Sequence, residues 1–131
     1  MNHWIAGTGL FFIAIAAAHG QEASVAEKPL RPAYYTCVKA AHGVTLALND
    51  CIGSEHNFQD KRLNSAYQHL RTSLNSDQRT ALRDEERAWI AQRDKACAPD
   101  EDGGTASLLD ANQCQLDQTA ARAAVLEGRI R

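Results

Sequence analysis

The sequence predicts an all-α fold: a small up-down three-helix bundle with a short extra N-terminal helix, stapled by two disulfides. Its 131 residues are enough for one domain with one core. Apolar residues recur at the spacing of amphipathic helices along three long stretches. Four cysteines, an even number, follow an apolar N-terminal segment, which is typical of small exported domains held by disulfides.

The N-terminal segment is predicted to be a signal peptide, residues 1–20. It contains no Asp, Glu, Lys or Arg, and its apolar run from Leu10 to Ala18 ends in small residues. Cleavage after Gly20 is favoured, with cleavage after Ala18 as the alternative. The apolar segment spans about fifteen residues, and a membrane-spanning helix needs roughly 20. We therefore expect no membrane association after cleavage and a periplasmic or secreted product.

Residues 21–33 are predicted to be a disordered leader. They are polar, contain Pro29 and Pro32, and show no hydrophobic period. The helical domain is expected to cover residues 34–131. It should open with a short helix from Tyr34 to Ala41, ahead of the three long ones.

The first long helix should begin near Thr45, a possible N-cap, and stop before Asn75-Ser76. Ser76 is predicted to cap the second helix. Pro99 should end the second helix, because proline cannot continue it. Thr105 or Ser107 is the expected cap of the third. The apolar positions at helical spacing in the three helices are Leu48, Cys51, Phe58, Leu63, Ala66, Tyr67, Leu70 and Leu74; Leu82, Trp89, Ile90, Ala96 and Cys97; and Leu109, Leu116, Ala120, Ala123, Leu126 and Ile130.

The cysteines are Cys37, Cys51, Cys97 and Cys114, and four cysteines allow three pairings. Sequential pairing closes two short loops, each worth roughly 3 kcal/mol of stability in the chain-entropy treatment. It would tie the short helix to the first long one and the second long helix to the third. A zinc site with four thiolate ligands is the alternative, but the sequence has no CxxC pair. No metal and no cofactor is predicted.

Four charged residues fall on or beside the apolar stripes of the predicted helices. They are Glu55 in the first long helix, Glu86 and Arg93 in the second, and Arg122 in the third. Unpaired buried carboxylates are costly, so both glutamates are expected to meet Arg93, with Arg122 nearby, in one buried polar network. The alternative is a carboxylate pair that cleaves glycosides. It is disfavoured because Arg93 would keep both acids ionised, whereas a general acid needs a raised pKa.

Composition and motifs exclude several function classes. The formal net charge is -2, so there is no basic surplus to neutralise phosphates, and nucleic acid is not an expected partner. The histidines lack the spacing of a metal site, and no phosphate-binding glycine loop or nucleophile motif occurs. No cysteine remains as a nucleophile once both disulfides form. No catalytic residue is therefore predicted.

Longer motifs carry a resemblance to a known family. They are Cys51-x3-Glu55-x4-Asp60-x2-Leu63-Asn64-x2-Tyr67, Arg87-x-Trp89-Ile90-x2-Arg93-Asp94-x2-Cys97, Gly103-Gly104-Thr105 and Cys114-x4-Thr119-x2-Arg122-x3-Leu126. From about Cys37 to Leu126 the sequence resembles the LprI N-terminal-domain family of lysozyme-inhibitor-like proteins. The resemblance implies an exported, disulfide-bonded helical domain whose expected partner is a protein such as a lysozyme. The matched positions suit packing, capping and ion pairing, so they are expected to build the fold and not the inhibitory surface.

An acidic loop is the candidate contact for such a partner. Asp100, Glu101 and Asp102 lie in a turn-forming segment between the second and third long helices. Lysozymes are commonly cationic, so a rigid acidic loop would steer toward their substrate cleft and plug it. The alternative for the loop is a solvated turn. The alternative for the protein is a non-inhibitory envelope interaction or an accessory, immunity-like module.

Overall fold

The computed structural model describes residues 30–130, and every regular element in that range is an α-helix. The predicted signal peptide, residues 1–20, lies outside the described residues, as do residues 21–29 of the predicted leader. The helices are α1 Pro32–Ala40, α2 Thr45–Thr72, α3 Ser76–Ala96 and α4 Gly104–Arg129. The predicted all-α class, with three long helices after a short one, is confirmed.

The short helix α1 starts two residues before the predicted Tyr34. Pro32 occupies its first turn, where the fixed φ of proline suits a helix and its missing N–H is not needed. The last residues of the predicted leader therefore belong to the folded structure. Gly43, with φ of +79°, makes the left-handed turn that leads into α2.

The helix caps differ from the predicted ones. Thr45 is the first residue of α2 and not its N-cap. Asn75, not Ser76, caps α3, because Gln78 three residues later completes a capping box with it. At α4 neither Thr105 nor Ser107 is the cap, since the helix begins earlier, at Gly104.

The long helices pack up, down and up. α2 and α4 run parallel, since Asn49 contacts Asn112 near their N-terminal ends and Arg62 contacts Glu127 further along both. The core lies mainly between these two helices, where small residues allow a close approach. Its buried members are Leu63, Ala66 and Leu70 from α2, Leu82 from α3, and Ala123 and Leu126 from α4.

Helix α3 is the most exposed of the three long helices. Leu82 is its one fully buried residue, and Trp89 packs against the core from a partly buried position. The helix is held at its C-terminal end by the disulfide Cys97–Cys114, while Cys37–Cys51 joins α1 to α2. Both bonds follow the sequential pairing. Within residues 30–130 no helix is long and apolar enough to span a membrane.

Candidate functional site

Glu55 is almost fully buried in α2, with 1% of its surface exposed. Its carboxylate accepts hydrogen bonds from the backbone N–H of Arg31 at 3.1 Å, the Arg31 guanidinium at 2.7 Å and the Gln59 amide at 2.7 Å. Burial acts to raise the pKa of Glu55, but these donors, led by the backbone N–H, lower it below its ordinary range. Glu55 is therefore an ionised anchor that ties Arg31 to α2.

The prediction that Glu55 meets Arg93 is wrong. Arg93 pairs with its neighbour Asp94 at 2.8 Å and lies over the Trp89 ring, 5.0 Å from its centroid. Its guanidinium also approaches the hydroxyl of Thr119 on α4 at 3.5 Å. A helical projection places a residue on an apolar arc, but it does not say which neighbouring element that arc faces. Glu55 faces the chain just before α1.

Glu86 belongs to a second ion cluster, which joins α3 to α4. Its carboxylate accepts hydrogen bonds from Nε of Arg122, at 3.0 Å, and from Nη2. The same guanidinium binds Glu85, which also accepts from Arg129 at 2.9 Å. Burial acts to lower the pKa of Arg122, and the two carboxylates raise it. The expected single network of Glu55, Glu86, Arg93 and Arg122 is thus divided into separate clusters.

The acidic loop is built as a tight turn. The backbone N–H of Asp102 donates to Oδ1 of Asp100 at 3.1 Å, and the N–H of Gly103 donates to the Asp100 carbonyl at 3.0 Å. The N–H of Asp100 donates to Oγ of Ser107 in the first turns of α4. A Cβ on Gly103 would lie 2.4 Å from the Ser107 Cβ, so only glycine fits there.

The three acidic side chains of this loop are exposed. Within residues 30–130, the carboxylates of Glu101 and Asp102 have no hydrogen-bond or ion-pair partner, and that of Asp100 is engaged by the turn. The loop starts three residues after Cys97, which is bonded to Cys114. The arrangement therefore presents uncompensated negative charge on a short, internally bonded turn.

The sequence matches a known protein family over most of its length. Residues 37–126 match the family described as Lysozyme inhibitor LprI, a match that covers more than half of the 131 residues. The chain belongs to the LprI family. No curated protein and no solved structure matches it. The LprI region contains both disulfides, the acidic loop, and Glu85, Glu86 and Arg122 of the second ion cluster.

In this LprI domain an open groove of about 350 Å³ separates α2 from α3. We call it the α2–α3 groove, and residues of the family-like motifs line it: Asp60, Asn64 and Tyr67 from α2, and Arg87, Trp89 and Ile90 from α3. Ile90 is 43% exposed. Tyr67 and Trp89 also pack against the core, and Leu63, Thr119 and Leu126 are buried, as expected of a motif that builds the fold.

In this LprI domain Glu55 and Glu86 are not arranged as an acid–base pair for glycoside cleavage. Glu55 and Glu86 lie in separate clusters, and each is bonded to an arginine. The pKa of Glu55 is lowered, with burial the largest opposing effect, whereas a general acid needs it raised. Among the described residues, no group of His, Cys, Asp or Glu is arranged to hold a metal ion.

Arg31 and Gln59 were not predicted to be partners of Glu55. Gln59 has a local signal, because it lies four residues after Glu55 and so on the same face of a helix. Arg31 has none, since it is 24 residues away in sequence and was assigned to the leader. Arg31 reaches Glu55 only because α1 packs beside α2 in the tertiary structure.

Proposed function

We propose that this domain binds and inhibits a lysozyme or a related peptidoglycan hydrolase in the periplasm or outside the cell. The observation that carries the proposal is the match of residues 37–126 to the family described as Lysozyme inhibitor LprI. Two disulfides support an oxidising compartment, since such bonds are rare in the cytosol. The proposal includes export by residues 1–20 and a mature chain from Gln21.

The contact surface in this proposal is the acidic loop. Its exposed carboxylates complement the positive charge that lysozymes commonly carry, and such complementarity accelerates association. The turn hydrogen bonds and the Cys97–Cys114 disulfide hold the loop in shape before binding. A preorganised loop loses less conformational entropy on binding than a flexible one.

The test is turbidimetric lysis of bacterial cell walls by several lysozyme classes, with the oxidised mature protein titrated in at low salt. Saturable inhibition near equimolar protein is expected for at least one class. Replacing Asp100→Asn, Glu101→Gln and Asp102→Asn together should weaken inhibition at least tenfold. These substitutions keep an acceptor at Asp100 for the turn, so the loop shape is retained.

A matched control removes three exposed carboxylates elsewhere: Asp50→Asn, Asp77→Asn and Asp84→Asn. It alters net charge equally and, when both variants are compared at about 0.15 M salt, should leave inhibition within about twofold, because exposed charges far from the contact are then screened. Equal inhibition by the loop variant and the parent would exclude the loop as the contact. Absence of inhibition across all lysozyme classes would overturn the function itself and favour a non-inhibitory envelope partner, to be sought by cross-linking.

A further inference from the structure

A second groove lies between α2 and α4, apart from the acidic loop and from the α2–α3 groove. Its volume is about 260 Å³, and four carboxamide side chains line it: Asn49 and Asn57 from α2, and Asn112 and Gln115 from α4. We call it the carboxamide groove. Asn112 donates to Asn49 at 2.9 Å. The side-chain amides of Asn57 and Gln115 have no hydrogen-bond partner within residues 30–130, so they are available to a ligand.

The carboxamide groove is lined mainly by uncharged side chains, and within residues 30–130 His56 is its one titratable residue. Among the described residues that form it there is no Asp, Glu, Lys or Arg, although 23% of the chain is charged. An ammonium group would find no carboxylate there, and a phosphate or a carboxylate would find no lysine or arginine. Each carboxamide offers two N–H donors and a carbonyl acceptor. The ligand that suits this lining is neutral and rich in both donors and acceptors.

Gly53 forms part of the groove and lies inside the long helix α2. A Cβ at this position would meet nothing within 4 Å, and φ is not in the left-handed region, so neither packing nor backbone conformation requires glycine. Glycine nevertheless weakens a helix interior relative to alanine. The absence of a side chain at Gly53 makes the groove wider. A ligand can therefore approach the helix backbone beside the buried Ile52.

We propose that the carboxamide groove binds a neutral saccharide that carries acetamido groups. Hydroxyl and acetamido groups can exchange paired hydrogen bonds with the free amides of Asn57 and Gln115. The exposed helix backbone at Gly53 and the small part of Ile52 that is exposed, 5%, suit the methyl of an acetamido group. The volume is just below the range of about 300–1,000 Å³ for drug-sized ligands, which is appropriate for one sugar unit. This inference does not depend on the inhibitor proposal.

The experiment is an NMR titration of the ¹⁵N-labelled oxidised domain with chitotetraose, an oligomer of N-acetylglucosamine, and in parallel with cellotetraose, which lacks acetamido groups. Chitotetraose should shift the side-chain amide signals of Asn57, Asn112 and Gln115 in a saturable manner. Gly53→Leu should weaken this binding at least tenfold by filling the groove. Because leucine is a better helix former than glycine, loss of binding cannot be attributed to loss of the helix.

Gly128→Leu is the matched control, since Gly128 is also an exposed helical glycine whose Cβ would meet nothing within 4 Å. It should bind chitotetraose as the parent does. Absence of amide shifts at millimolar chitotetraose, or unchanged binding by Gly53→Leu, would overturn the proposal. Equal affinity for cellotetraose would overturn the requirement for acetamido groups. None of these results depends on whether the domain inhibits a lysozyme.

Discussion

The side chain of Arg31 acts at the start of the folded domain, where it reaches the buried Glu55. The guanidinium bonds the carboxylate at 2.7 Å and lies 3.8 Å from the centroid of the Phe58 ring. One residue thus supplies a charged donor, a backbone donor and a cation–π contact. The interior charge of Glu55 is tolerated because Arg31, together with Gln59 of α2, donates hydrogen bonds to its carboxylate.

Arg31→Ala should lower the free energy of unfolding by about 1–3 kcal/mol, because Glu55 would keep only the Gln59 amide and one backbone N–H. Urea unfolding at pH 7 measures this. The control is Arg83→Ala, which breaks an ion pair whose side chains are 48% and 58% exposed. That variant should change stability by less than about 0.5 kcal/mol. Equal effects of the two variants would show that the Arg31 contacts do not stabilise the fold.

The lowered pKa of Glu55 predicts acid sensitivity. A carboxyl group with a lower pKa in the folded state stabilises the fold above its unfolded pKa, about 4.3 for glutamate, and this contribution is lost as pH falls through the folded pKa. The urea midpoint should therefore fall steadily below about pH 4.3. Glu55→Gln should be less stable at pH 7 but lose less on acidification. An identical pH dependence in both proteins would contradict the assignment.

Helix α3 depends on polar contacts and on its ends more than on apolar burial. Its main interactions are the ion cluster of Glu85 and Glu86 with Arg122, the capping box at Asn75 and the disulfide at Cys97. This arrangement leaves the side of α3 that faces the α2–α3 groove open to solvent. A helix held in this way can present exposed residues such as Ile90 without losing its place in the bundle.

Asn75→Ala should destabilise the protein by about 1 kcal/mol, because it removes the acceptor of the Gln78 N–H and breaks the capping box. Ser76→Ala should change stability by only a few tenths of a kcal/mol, since Ser76 is the first helical residue and alanine is a good helix former. Thermal or urea unfolding of both variants measures the difference. A larger effect at Ser76 would assign the cap to the residue that the sequence pattern suggested.

At the scale of the described fold, α2 and α4 form a parallel pair of helices. One disulfide joins α1 to this pair and the other joins α3 to it. The bonds span 14 and 17 residues of sequence. Closing loops of this length is expected to stabilise the folded state by similar amounts, roughly 3 kcal/mol for each disulfide. Their consequences for function should differ, because only Cys97–Cys114 holds the base of the acidic loop.

Replacing either cysteine pair with alanine should lower the free energy of unfolding by about 2–4 kcal/mol. On the proposed function, Cys97→Ala with Cys114→Ala should also weaken lysozyme inhibition at least tenfold. Cys37→Ala with Cys51→Ala should leave inhibition near that of the parent, at a temperature where circular dichroism shows both variants folded. Equal inhibition by both variants would show that the loop does not need its disulfide to act.

The sequence by itself determined the helical class and the family and favoured sequential disulfides, which the structure then confirmed, because each depends on local order along the chain. Apolar spacing, Pro99 and short cysteine separations are readable without knowing what packs against what. The prediction that Ser76 caps α3 was wrong by one residue. The capping box with Gln78 makes the adjacent Asn75 the cap, which is also a local feature.

Only the tertiary structure decided which side chains meet. Arg31 and Glu55 are distant in sequence, and their contact depends on how α1 lies against α2. The angles and spacings at which the helices pack also decide that Glu86 and Glu55 lie in separate clusters. They likewise determine where the two grooves form. Periodicity determines that a helix has an apolar face, but the packing of neighbouring helices determines what that face contacts and which parts stay open.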